Sequence, residues 1–149
     1  MKADELLNEL SKVLGIELAF DEDNNCIVMI EDKYSLCIRK DDENDRIILL
    51  GNIADELPDP VDYSLVTDLL DFGMAPVLTG GPAVGRDPVS GILTAWAFVQ
   101  TKSITPNDFT EAVKKFIEFQ IVITDRIAGN NEEDDEDTSD FQDLGVLNS

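Results

Sequence analysis

At 149 residues, with 43% hydrophobic and 7% aromatic side chains, the chain is long enough for one domain with a real core. It carries a net charge of −21 from 32 acidic and 11 basic residues, and it has no histidine. A field of that sign repels phosphate backbones and speaks against direct nucleic-acid binding. The missing imidazole removes the usual base near neutral pH and the commonest transition-metal ligand.

The opening MKADELLNEL sets charges where a signal peptide needs an apolar centre, and no apolar run approaches the ~18 residues of a membrane span. A cytosolic, non-inserted protein is expected. Leu6, Leu7, Leu10, Val13 and Leu14 recur at helical spacing and predict an amphipathic helix over 4–14 that stops at Gly15. The period then changes to two. Ile16, Leu18 and Phe20 alternate with Glu17 and Ala19, a strand pattern. Beyond the acidic turn DEDNN, CIVMI and YSLCIRK read as two strands joined near Asp32–Lys33, and RIILLGNI as a more buried one.

In LPDPVDYSLVTDLLDFGMA, Asp59 is the expected N-cap, Pro60 the first helical residue and Asp62 a first-turn acid. Leu65, Val66, Leu69, Leu70 and Phe72 form that helix's apolar face, which ends near Gly73. VLTGGPAVGRDPVSG reads as a loop, or as a strand entering a turn at Asp87–Gly91. In ILTAWAFVQ, Ile92, Thr94, Trp96 and Phe98 face one way and Leu93, Ala95, Ala97 and Val99 the other. Both sides are apolar, so cover on both is expected.

Thr105-Pro106-Asn107-Asp108 is a capping arrangement for a long helix reaching Gly129, with Phe109, Ala112, Val113, Phe116, Ile117, Gln120 and Ile123 along one side. The remainder, NNEEDDEDTSDFQDLGVLNS, is a charge run expected to be disordered. From residue 129 onward there are eight acids and no bases, and residues 1–128 keep 24 acids against 11 bases, or −13. The expected organisation is a single α+β domain over 1–128 with an acidic tail over 129–149. Its element order is helix, three or four strands, helix, strands, helix, with a twisted antiparallel sheet flanked by helices.

Motifs that suggest chemistry fail on inspection. DEDNNCIVMIED sets Asp21, Asp23, Asn25 and Asp32 at calcium-loop positions, but Cys26 stands where the loop needs glycine, and the flanks are strands. GGPAVGRDP lacks the Lys-Ser/Thr of a phosphate loop. Cys26 and Cys37 have no CxxC spacing and read as reduced, part-buried side chains. Carboxylates alone can hydrolyse glycosides, yet no pair stands out among 32. The expectation is a protein that is not an enzyme, with no cofactor and no metal. What remains is apolar side chains in excess of what one small body needs, suited to covering another chain.

Taken together, "LGIEL", "CIVMI", "YSLCIRK", "IILLGNI", "YSLVTDLLDFGMA", "VGRDPVSGILTAW" and "FTEAVKKFIEFQIVITDRI" resemble, over residues 1–128, the class I type III secretion chaperones of the Tir-chaperone family. Phe72-Gly73-Met74 departs from the Ala-Asn that the family commonly has there. The resemblance implies a small acidic cytoplasmic homodimer that binds the N-terminal chaperone-binding region of secreted effectors in a partly extended state. The secretion ATPase is a further candidate partner. It places Leu6, Leu10, Leu14, Ile16, Leu18, Phe20, Ile27, Met29, Leu36 and Ile38 around the effector groove, with strand addition at a sheet edge. It places Leu69, Phe72, Leu93, Trp96 and Phe98 at a two-fold dimer contact. The acidic body suggests a basic client.

Two other readings stand beside it. One is a YbjN-like dimeric binding module unrelated to secretion. The other is an acidic nucleic-acid mimic, which would need carboxylates spaced along a rigid face where this chain gathers them in turns.

Overall fold

In the computed structural model residues 2–130 are described, the side chain of Asn130 excepted. The first helix, α1 (Lys2–Leu14), buries Ala3, Leu6, Leu7 and Leu10 on one stripe. It ends at Gly15, whose φ of +72° is the left-handed conformation that glycine adopts without penalty. Three strands follow: β1 (Asn25–Ile30), β2 (Tyr34–Asp41) and β3 (Arg46–Ala54). Then come α2 (Tyr63–Gly73), the one-turn α3 (Ala75–Leu78), β4 (Ala83–Arg86), β5 (Leu93–Gln100) and the long α4 (Pro106–Asn130).

The strands form one antiparallel sheet in the order β1-β2-β3-β5-β4. Its inner face supplies Cys26, Val28, Leu36, Ile38, Ile47, Leu49, Leu93, Ala95 and Val99 to the core. Across that face lies α4, contributing Phe109, Val113, Phe116, Ile123 and Ile127. Helix α1 packs on α4, and α2 packs on β4. Helix α2 also meets α4 through an edge-to-face pair, Phe72 on Phe119 at 5.4 Å, and through Arg126 Nη1 bonded to Asp68 Oδ2 at 2.9 Å.

One polar side chain ties helix to sheet. Gln120 is fully buried, and its Nε2 donates to the carbonyls of Ser35 at 2.7 Å and Asn52 at 3.1 Å. It thereby joins β2 and β3 where their ladder ends at the Leu36–Gly51 pair. The approach requires glycine at 51, since a Cβ there would lie 2.5 Å from Gln120 Cδ.

Several details differ from the sequence reading. Residues 16–20 do not join the sheet. The Ser11 hydroxyl takes up their backbone instead, donating to Ile16 O at 2.8 Å and accepting from Leu18 N at 2.7 Å. The alternation is real, but it serves to bury Leu18 and lean Phe20 against the core while the segment folds back along α1. Helix α2 starts at Tyr63, with Asp62 as its N-cap accepting from Ser64 N at 3.3 Å, three residues after the expected cap. The stretch 75–86 is a helical turn and a strand, and the turn over Asp87–Gly91 is closed by Asp87 N to Ile92 O and Gly91 N to Asp87 O. Thr105 caps α4 as expected, its Oγ1 accepting from Asp108 N at 3.0 Å. That helix runs through Gly129 to Asn130; the rest of the expected tail lies outside the described residues. Within the subunit the inner side of β5 is buried, while Phe98 on its outer side is 49% exposed.

Candidate functional site

In an antiparallel sheet, directly paired residues project their side chains to the same side. The register therefore defines the uncovered face. One row crosses all five strands: Ile27, Cys37, Leu50, Trp96 and Ala83. The next holds Asn25, Arg39, Ile48 and Phe98. Among the described residues no helix packs over the outer side of β1–β3, so that part of the face is open, while Ala83 at the β4 end is buried. Ile27 is 60% exposed, Met29 53% and Phe98 49%.

The aromatic end of the face is ordered by its own contacts. Trp96 and Phe98 have ring centroids 5.1 Å apart. The Arg46 guanidinium lies 4.0 Å from the Phe98 centroid while its Nε donates to Asp41 Oδ2 at 2.7 Å. Hydrogen bonds from Asn44 and Arg46 hold the Asp41 carboxyl below the usual carboxylate range. At the other end β1 is an edge strand, its Asn25 backbone already bonded to Asp21 and the stretch Ile27–Met29 without a neighbouring strand on that side among the described residues.

The residues expected around an effector groove separate into two groups. Ile27 and Met29 lie together on the outer face, and Ile16 is exposed beyond α1. Leu6, Leu10, Leu18, Leu36 and Ile38 are buried in the core, with Leu14 and Phe20 half-buried against it. Of the residues expected at a dimer contact, Trp96 and Phe98 share the outer face, Leu93 is buried on the inner one, and Leu69 and Phe72 lean on the core.

Sequence reasoning missed two features. Ile48 and Leu50 belong to the outer face, yet the unbroken run IILL hides the alternation that separates them from Ile47 and Leu49. A second exposed apolar patch runs over α2 and α3, where Leu70, Met74, Val77 and Leu78 are all more than half exposed. The signal was available, since MAPVL continues the apolar residues of α2 beyond its glycine.

Among the described residues no group of His, Cys, Asp or Glu could hold a metal ion. The DEDNN segment is a turn, with Asp21 Oδ1 accepting from the backbone of Asp23 and Asn25. Cys26 and Cys37 are free, and burial pushes both thiols up, away from the thiolate. No described helix is long and apolar enough to cross a membrane.

The model of the Tir chaperone protein (CesT) family matches residues 5–119. The chain belongs to that family. Solved structures agree on the fold of this Tir-family chaperone. One chain of the HopA1–SchA chaperone–effector complex superposes with a TM-score of 0.72 at 22% identity, covering 83% of this chain and 94% of that one. A chain of the Yersinia pestis type III secretion chaperone SycH in complex with a stable fragment of YscM2 gives 0.64 at 14% identity, covering 80% and 98%. A chain of the heterodimeric ExoU–SpcU complex from the type III secretion system of Pseudomonas aeruginosa gives 0.61 at 12%, covering 78% and 93%. No curated protein sequence matches the chain.

Proposed function

We propose that this type III secretion chaperone works in the bacterial cytoplasm by binding rather than by chemistry. It holds the N-terminal region of a secreted effector in a partly extended state, soluble and ready for export. The observation that carries this reading is the open outer face, on which Ile27 and Met29 of β1 stand more than half exposed with no element of the subunit over them. An extended client can add to the free edge of β1 through main-chain hydrogen bonds and place alternate side chains beside Ile27 and Met29. The buried Leu6, Leu10, Leu18, Leu36 and Ile38 then act from beneath, by holding the sheet in shape. The solved relatives include chaperone–effector complexes, which supports a client of this kind.

The working unit is a homodimer. The patch of Leu70, Met74, Val77 and Leu78, with Trp96 and Phe98 at the nearer end of the sheet, supplies an apolar surface that a second copy covers. The secretion ATPase is a candidate for handover of the complex. The decisive experiment is co-expression with secreted proteins from the same cell, pull-down, and limited proteolysis. The expected result is a protected fragment near the N-terminus of the captured protein. Capture of folded, fully digestible partners only would refute the proposal.

A further inference from the structure

Arg39 lies in the middle of the open face, paired across the ladder with Asn25 on one side and Ile48 on the other. In a chain with 32 acids it makes no ion pair among the described residues, and its Nε donates to the neutral Asn25 Oδ1 at 2.9 Å. The other charges on this face, Arg46 and Asp41, neutralise each other at 2.7 Å. Arg39 is thus a cation with no contact ion pair among the described residues, the nearest acid being Asp21 at the rim, whose charge reaches the neighbouring Cys37. A client laid over it takes Arg39 out of water, which is costly unless the client brings an anion.

We infer that Arg39 is a specificity-determining residue: it selects client segments that carry a carboxylate among their apolar side chains. This rests on the outer face being the client surface, as proposed above. A guanidinium whose Nε is already oriented by Asn25 keeps both Nη groups for a carboxylate fork. The net charge of −21 suggests a basic client, but at ~0.15 M salt the Debye length is about 8 Å. Acids in the turns beyond that range are screened, while Arg39 acts at contact.

The test uses the full chain and three labelled 12-residue peptides with alternating apolar residues, whose intervening positions are all Glu, all Gln or all Lys. Binding is read by fluorescence anisotropy at about 150 mM salt. The Glu peptide should bind about tenfold more tightly than the Lys peptide, the lower end of what a charge-assisted pair contributes. Arg39→Gln should erase most of that difference and Arg39→Glu should invert it, with circular dichroism checking the fold of each variant. At about 10 mM salt, where the Debye length grows to ~30 Å, the acidic body should narrow the preference.

Ile27→Asp separates the two ideas. If all three peptides bind through Ile27 but the Lys peptide binds as well as the Glu peptide, the selectivity is wrong and the client surface stands. If no peptide binds, or Ile27→Asp changes nothing, both are overturned.

Discussion

Replacing Ile27 by aspartate isolates the role of the open face from the integrity of the fold. Full burial of an isoleucine contributes ~1.5–3 kcal/mol, and 60% of this one is exposed in the free chain, so covering it yields about 1–2 kcal/mol. A carboxylate placed under a client adds a desolvation cost of at least ~1–2 kcal/mol. Client binding should therefore weaken by about 3 kcal/mol, more than a hundredfold. The fold should lose little, on the order of 1 kcal/mol from strand preference, because the position already faces water. Competition binding against the captured effector, beside a urea melt of the variant alone, separates the two effects. Binding within threefold of the parent would refute the assignment of this face. A loss of affinity that tracks a comparable loss of fold stability would refute it equally.

The companion substitution Leu18→Asp should behave in the opposite way, unfolding the chain in low urea by 3 kcal/mol or more, since Leu18 is buried and a charge there has no partner. Gly51→Ala should cost about 2–3 kcal/mol in a urea melt, because its Cβ meets Gln120 Cδ at 2.5 Å, and combining it with Gln120→Ala should cost less than the two singles summed. Leu70→Lys with Val77→Lys should give a folded monomer by analytical ultracentrifugation; a persistent dimer would exclude the α2–α3 patch. The thiols give a pH prediction. Burial raises the Cys26 and Cys37 pKa values above the ordinary 9.0, so their contribution to stability is complete below pH 9 and is lost as pH rises through the folded values. Thermal melts of the Cys26→Ala, Cys37→Ala double variant should fall off less steeply above pH 9 than those of the parent.

Much of the architecture could be read from the chain because apolar period and punctuation agreed. Thr105-Pro106 marked the start of α4, Gly15 the end of α1, and Asp87–Gly91 the β4–β5 turn. The strand expected at 16–20 failed because alternation reports one-sided burial, not pairing, and that backbone is met by side chains, the Ser11 hydroxyl at Ile16 and Leu18 and the Cys26 thiol at Ala19. The site was harder to see for a related reason. Leu36 and Ile38 look the same in sequence as Ile27 and Met29, and only register decides which stand toward α4 and which toward solvent. Arg39 could not be singled out from the sequence, since only the strand register sets it on the outer face beside Asn25. The family resemblance drawn from the apolar profile named the family that the match over residues 5–119 establishes.

A sheet sealed on only one side leaves the resting subunit thermodynamically incomplete. Whatever settles on the bare side binds the native form and not the unfolded coil, so occupancy and folding are coupled quantities. At a hundredfold excess over the dissociation constant the cargo adds about 2.7 kcal/mol, and melting shifts upward with cargo concentration. Free carrier should then be digested faster than loaded carrier at equal protease concentration.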